Sequence, residues 1–436
     1  MSPTVRLNLF QRMMLRWRDL HPYNPVHVVR VPAVLDAQQL RGCIAGQLAA
    51  HRLTGLGVDP QRWRLRCENG AAVVDLDVAD AGSDAPAQLS RTIERELNRP
   101  FERAAGALPF RFVAIAGPDA FHLALAYDHY VASGDSIARL LSGIALAYLG
   151  SSAHAAPIQL DVPTYRNLFL RHPMWVMHAL VGLPRMIATG RRAYRLRRAA
   201  SDDGHNAFSY LRLDARQRNA LVAASKAWGV TLNEVLMASL MQALSPLTRQ
   251  RREQPRRNEI AIASILNIRP DFGPASLDAL SPLLAALRVA HPVPEGIGAR
   301  QLASALHDDI ARIRRGHLYL QSILALGVSA LLWPWLSESR RRRLYAKHFP
   351  VCAGITSLNL NPIWARSDRA NAARLDYIRV VPTGPLCPLV LAVTGAHDAL
   401  HIGLAYRTAI YSRADIDQLA AALLRRIDDL PAERGA

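Results

Sequence analysis

The sequence predicts a layered α+β (layered α/β) protein built as two similar halves, and three observations carry that expectation. Its 436 residues are too many for one ordinary hydrophobic core and suit two domains of roughly 200 residues each. Half of the residues are hydrophobic and 20% are charged, a globular composition with enough apolar surface for a sizeable core. Short apolar runs of strand length mix with longer runs of helical period in both halves, and strands recur near the end of each. That pattern suits neither a barrel nor a helical bundle.

The elements follow in chain order. Residues 4–20 read as a short helix or turn with Phe10, Met13, Met14 and Trp17 on one side. Residues 26–31 (Val-His-Val-Val-Arg-Val) read as a strand. Residues 35–52 are helical, because Leu35, Leu40, Cys43, Ile44 and Leu48 recur near a 3.6 period. Residues 62–78 hold two short strands joined at Glu68-Asn69-Gly70, where Asn-Gly predicts a hairpin turn. A helix is expected over 87–98, then a strand pair, 110–116 and 120–127, around Gly117-Pro118-Asp119. Ser136 stands before the apolar-periodic run Ile137, Leu140, Leu141, Ile144 and Tyr148, so it is the expected N-cap of the next helix.

Residues 150–206 read as a connector that is first small and polar, then apolar over 173–184. It ends basic, with Arg185, Arg191, Arg192, Arg195, Arg197 and Arg198. Ser201-Asp202-Asp203-Gly204 breaks it, giving an N-terminal unit 1–200 and a C-terminal unit 207–436. The second unit begins with a strand at 208–213 and a helix at 215–228. Thr231 is the expected cap of a helix over 232–244. A basic loop, 249–257, leads to a strand at 260–266. Helices are expected over about 297–315 and 318–347, strands over 353–360, 375–381, 388–395 and 399–406, and a last helix over 413–430.

Lys and Arg number 53 against 35 Asp and Glu, a formal charge of +18. Such a surface favours anionic partners: nucleic acid, an anionic membrane, coenzyme A or an acidic carrier protein. Part of the arginine excess also fits a bias in base composition. No nucleic acid partner is expected, since no aromatic-basic platform or recognition helix is evident. Cys43, Cys67, Cys352 and Cys387 are far apart, without metal-ligand or disulfide-framework spacing, as in a reducing compartment. The N-terminal residues contain no uninterrupted apolar run of the secretory kind. A cytoplasmic protein is therefore expected. Residues 318–336 are almost wholly apolar and are followed by Arg340, Arg341, Arg342 and Arg343. This stretch reads as a buried or groove-lining helix, as a membrane-surface helix with an arginine anchor, or as a span. Residues 173–198 repeat the apolar-then-basic order, which adds weight to peripheral attachment on the inner face of a membrane. His397 and His401 lie four apart in what reads as strand-turn-strand, so no metal site is expected. Ser133-Gly134-Asp135-Ser136 lacks the Gly-Lys-Ser/Thr end of a phosphate loop.

One stretch stands out: Asp128-His129-Tyr130-Val131-Ala132-Ser133-Gly134-Asp135-Ser136, between an expected strand and an expected helix. It resembles the His-His-x-x-x-Asp-Gly-x-Ser signature of the coenzyme A-dependent acyltransferase superfamily with the chloramphenicol acetyltransferase fold. Condensation domains and bacterial wax ester synthase/diacylglycerol acyltransferases are members. Pro100-Phe101-Glu102 with Leu108-Pro109-Phe110-Arg111 is similar to the lead-in of that group to its histidine strand. The helix following Gly229-Val230-Thr231 resembles its Val-Asn-Asp-Val helix. Asn267-Ile268-Arg269 and Thr356-Ser357-Leu358-Asn359 resemble its Asn-x-Arg and Ser-Asn segments.

The resemblance covers nearly the whole chain. It implies two chloramphenicol acetyltransferase-like subdomains forming a pseudo-dimer with a central channel. It also implies acyl transfer from a coenzyme A or phosphopantetheinyl acyl-carrier thioester, used as co-substrate, to an alcohol or amine. No permanently bound cofactor is implied. His129 would be the base, since a histidine of ordinary pKa near 6.5 suits proton transfer at neutral pH. Gly134 would permit the turn behind it, and the following helix N-terminus would supply unpaired N–H groups. Ser357 or Asn359 would help to hold the oxyanion. Two positions depart from the signature: Asp128 replaces its first His, and Ser133 replaces its Asp. In the superfamily that Asp pairs with an Arg that holds the loop; Arg269 is the candidate for that Arg here, and with Ser133 in place of the carboxylate the pair is lost unless Asp135 moves in. A different reading is a catalytically degenerate condensation-like module that binds a carrier protein or a lipid.

Overall fold

The computed structural model describes residues 4–59, 61–67, 73–102, 108–151, 158, 160, 164–197, 204–365 and 368–430. The strands among them are β1 (Thr4–Arg6), β2 (Val26–Val31), β3 (Leu56–Asp59), β4 (Arg64–Cys67), β5 (Leu76–Asp80), β6 (Phe110–Ala116), β7 (Phe121–Tyr127), β8 (Asn206–Leu213), β9 (Ile260–Asn267), β10 (Leu284–His291), β11 (Ala353–Asn359), β12 (Asp376–Val380), β13 (Leu389–Ala396) and β14 (Ala399–Arg407). They form three sheets, ordered β1-β4-β3, β12-β2-β7-β6-β5 and β10-β9-β11-β13-β14-β8. Helices pack beside the two larger sheets, so the layered α+β class read from the sequence is the observed one.

The expected apolar runs form the expected elements, and their burial explains why. β6 and β7 are buried along almost their whole length. Only a strand covered on both faces tolerates such continuous apolar character. The helix Leu232–Leu244 begins at Thr231, whose hydroxyl accepts from the Glu234 N–H while the Glu234 carboxylate accepts from the Thr231 N–H. Thr231 is the cap expected from the sequence; the reciprocal bond from Glu234 makes it a capping box.

Several expectations are corrected. β4 and β5 do not form a hairpin: β4 pairs with β1 and β3, whereas β5 runs parallel to β6 in another sheet. The expected turn itself, Glu68-Asn69-Gly70, lies outside the described residues, as do Arg198 and Ser201 to Asp203 of the expected break. The helix Gly134–Tyr148 is capped by Ser133, not Ser136. Among its described residues the connector holds three helices, Tyr165–Arg171, Pro173–Val181 and Leu183–Arg192. β10 was not anticipated, although its alternating burial is the period-2 signature of a half-covered strand. Arg251, in the basic stretch read as a loop, is buried in a 3-10 segment and ion-paired with Glu295.

The apolar stretch 318–336 is not one helix. It forms Leu320–Leu332, a 3-10 turn over Trp333–Trp335 and then the helix Glu338–His348. Pro334 removes an N–H and crowds the preceding turn, which breaks the helix there. Leu320, Ile323 and Leu326 are buried, while Val328, Leu331, Leu332 and Trp335 (84% exposed) face outward. Among the described residues no single helix is long and apolar enough to cross a membrane.

β12 joins the two halves. It comes from late in the chain, yet it pairs antiparallel with β2 and so completes the sheet that carries β7. β14, in the six-stranded sheet, crosses it closely at Gly403. A Cβ there would lie 2.2 Å from the Arg379 carbonyl oxygen, so only glycine allows the two backbones to approach.

Candidate active site

β7 ends at Tyr127, and the chain turns through Asp128 and His129 before entering the helix Gly134–Tyr148. The turn is fastened from several sides. The Val131 N–H donates to Asp128 O at 3.0 Å, and the Ser133 N–H donates to Leu280 O at 2.9 Å. Gln11 Nε2, from the first helix (Leu9–Arg18), donates to Tyr130 O at 2.9 Å. Gly134 is not the turning residue that the sequence suggested. It has no positive φ and opens the helix as its first residue. Its missing side chain instead leaves space beside two others: a Cβ there would lie 3.5 Å from Arg379 Nη1 and 3.7 Å from His27 Cε1.

His129 lines a cavity of about 130 Å³ between the two large sheets, together with Tyr23, Tyr127, Ser133, Gly134, Asp135, Ser357 and Arg379. The residue is 8% exposed, and its ring packs against Tyr23, centroid to centroid at 5.0 Å, and edge-on to Tyr127 at 6.0 Å. Burial, helped by the positive charge of Arg379, lowers its pKa to about 4. The ring is therefore neutral at physiological pH and keeps a nitrogen lone pair. Its Nδ1 is buried without a hydrogen-bond partner among the described residues. Asp128 is not on the cavity wall. Its buried carboxylate is ion-paired with Arg18, and burial nevertheless pushes its pKa up to about 6.

Arg269 brings the remaining motif positions together. Its Nη1 donates to Asp135 Oδ2 at 2.7 Å, and its Nη2 donates to Ser133 Oγ and, at 2.9 Å, to Ala279 O. Asn267 Nδ2 adds a bond to the same Asp135 oxygen at 3.1 Å. Arg269 is 2% exposed, so its charge needs a partner. Asp135 supplies the carboxylate and Ser133 a neutral acceptor. This clamp ties the helix N-terminus behind His129 to the segment after β9.

The second-half positions divide. Ser357 is on the cavity wall, its hydroxyl donating to Asn233 Oδ1 at 2.9 Å. Asn359 is not; its Oδ1 accepts from the Asn361 N–H at 3.1 Å, holding a turn at the strand end. His397 and His401 also separate, with His397 Nε2 bonding Leu375 O and His401 facing Asp376 and Tyr210.

Sequence reasoning missed His27 and Arg379. They face each other across the β2–β12 pair, and both are buried. His27 Nδ1 bonds the Tyr377 hydroxyl at 2.8 Å, while its Nε2 has no partner among the described residues; burial drives its pKa well down. Arg379 donates to Thr356 O at 2.6 Å and to Val393 O at 3.0 Å, with longer bonds to the Thr356 and Thr394 hydroxyls. A signal was present: each is a polar residue within an apolar strand run. Their pairing was not visible, because the strands lie about 350 residues apart. Cys387 also lines the cavity, but burial pushes its thiol up to about 12, so it is no thiolate nucleophile.

No family model and no curated protein matches the sequence. Solved structures do. The first condensation domain of the CDA synthetase superposes with a TM-score of 0.71 at 14% identity, covering 100% of this chain and 97% of that one. The starter condensation domain of rhizomide synthetase RzmA, in complex with C8-CoA, gives 0.65 at 12% identity over 98% and 95%. The epimerization domain of tyrocidine synthetase B gives 0.65 at 13% identity over 99% and 98%. Along its whole length this chain therefore has the fold of condensation domains, the coenzyme A-dependent acyltransferase fold that its histidine segment resembles.

Proposed function

We propose that the protein is an acyltransferase that moves an acyl group from a coenzyme A or carrier-protein thioester to an alcohol or amine, with His129 as the general base. The observation that carries this reading is a buried imidazole, held neutral by burial, on the wall of a cavity between the two large sheets and in the turn that leads into the helix Gly134–Tyr148. In the proposed step His129 takes the proton of the acceptor O–H or N–H as the heteroatom bonds to the thioester carbonyl carbon. The tetrahedral oxyanion collapses, the C–S bond breaks, and the thiolate receives the proton from His129. The low pKa makes the imidazolium a willing acid for that return. Arg269, Asp135 and Ser133 position the turn and do not touch the reacting atoms. The complex of the RzmA domain with C8-CoA supports coenzyme A or a carrier thioester as donor here.

The test is turnover of acyl thioesters of varied chain length with a panel of alcohols and amines, by wild type and His129→Ala. Loss of about 10²–10⁴-fold is expected for the variant, the usual share of general base catalysis. Equal turnover by both proteins would remove His129 as base. No turnover by wild type, with retained carrier or lipid binding, would favour the degenerate binding module instead.

A second feature supports work at an anionic membrane surface. Val328, Leu331, Leu332 and Trp335 form an exposed apolar stripe, and Arg340 and Arg343 are exposed just beyond it. Met174, Met177 and Val181 are exposed on the helix Pro173–Val181, followed by exposed Arg185, Arg191 and Arg192. Apolar insertion beside cations is the pattern of interfacial helices. Co-sedimentation with anionic vesicles should be strong for wild type and largely lost for Trp335→Asp; equal pelleting of both would refute the attachment.

A further inference from the structure

We propose that Arg379 makes the His129 cavity a carboxylate site, so that one of the two substrates carries a free carboxylate seated against this arginine. The inference rests on the acyltransferase reading and names the substrate class it serves. Arg379 is 4% exposed, and a buried cation is costly unless paired. Among the other buried arginines, Arg111 faces Glu96, Arg251 faces Glu295 and Arg269 faces Asp135, whereas Arg407 donates to the Gly384 carbonyl. Arg379 has no carboxylate within 4.0 Å among the described residues, and the acceptors it meets there are carbonyls and hydroxyls.

Those bonds also leave donor capacity. The guanidinium has five N–H groups. Nη2 uses two on Thr356 O and Val393 O, Nε uses one on Thr394, and Nη1 uses one on Thr356 Oγ1 at 3.4 Å. One Nη1 hydrogen remains, and Nη1 borders the gap left at Gly134. That gap lies at the N-terminus of a 15-residue helix, where backbone N–H groups and the positive end of the dipole favour an anion. The charged groups around it agree. His27, across the strand pair, is held neutral by burial and by Arg379. Asp135 is the anion on this wall; it favours the Arg379 charge from a distance, but its carboxylate is bonded by Arg269 and Asn267. The cavity is small, about 130 Å³, so a carboxylate on Arg379 lies close to the reacting centre. Two sources fit this chemistry: a thioester of a dicarboxylic acid, or an amino-acid acceptor.

The experiment compares each acid with its neutral amide, matched in ionic strength, in calorimetric binding to the full chain. Succinate against succinamide represents the donor source, and β-alanine against β-alaninamide the acceptor source. Wild type should bind the acid of one pair at least tenfold more tightly. Arg379→Gln should remove that preference and Arg379→Lys retain part of it. Because Arg379 also holds two strand carbonyls, the acid-to-amide ratio of wild type stands as evidence if Arg379→Gln does not fold. Equal binding of acid and amide in both pairs by wild type overturns the proposal, as does a preference that Arg379→Gln leaves intact. The same binding run on His129→Ala separates the two readings. Acid preference without turnover by wild type sinks only the acyltransferase reading. Turnover that is indifferent to the carboxylate sinks only this one.

Discussion

Asp135→Asn tests whether Asp135 now does the work of the aspartate that Ser133 replaces. In the folded protein the Arg269 guanidinium is 2% exposed and holds one carboxylate, Asp135, at 2.7 Å. A charge-assisted hydrogen bond contributes about 1.5–3 kcal/mol, and breaking a fully buried pair costs about 3–5 kcal/mol. The Asp135 side chain is 35% exposed, so solvent screens it and the lower range applies, about 2 kcal/mol. Replacing Ser133 with Asp then sets a carboxylate where the serine hydroxyl already accepts from Arg269, and Asp caps a helix as well as Ser does. Urea unfolding of wild type, Asp135→Asn, Ser133→Asp and the double variant forms a complete cycle. Asp135→Asn should lose about 2 kcal/mol, and the double variant should regain most of it. Denaturant is the better probe, because 2 kcal/mol moves the melting temperature of a chain this long by only about 2 °C. A loss below about 0.5 kcal/mol, or no recovery in the double variant, would refute the exchange of partners.

Three more outcomes are expected. The pH profile of kcat/KM should lack an inflection near 6.5 and fall only as pH approaches about 4, because the free His129 has its pKa lowered to about 4; a limb centred near 6.5 would show that His129 is solvated or is not the base. The same depression destabilises the fold in acid. The unfolded histidine takes up a proton below about 6.5 and the folded one does not, so stability is complete above 6.5 and is lost as pH falls toward 4. At pH 5 this loss is on the order of 2 kcal/mol relative to His129→Asn, and parallel pH curves for the two proteins would rule it out. Gly403→Ala should destabilise by about 3 kcal/mol or more, since its Cβ meets backbone rather than a movable side chain; a variant as stable as wild type would mean that β14 and β12 separate at little cost.

The local part of this protein was legible in its residues. The runs at 26–31, 110–116 and 232–244 became a strand, a strand and a helix because burial and capping acted in the same direction as their sequence pattern. The histidine segment likewise declared a strand end followed by a helix start. What failed locally failed for a tertiary reason: Asn-Gly between β4 and β5 signals a turn, but those strands find better partners in separate sheets. Whether Asp135 takes the place of the carboxylate that Ser133 lacks is open in the sequence, and only the folded chain shows the two residues sharing Arg269.

By itself, then, the sequence determined most of the element types, the layered α+β class and the place of His129 between a strand and a helix, because periodicity, capping and turn chemistry act over a few residues. The tertiary structure decided that β12 crosses to the first-half sheet, that Arg379 and His27 meet behind His129, and that Asn359 stays off the cavity wall. Those outcomes depend on pairings between segments hundreds of residues apart. Strand pairing and burial select such contacts together, and no short stretch of sequence records them.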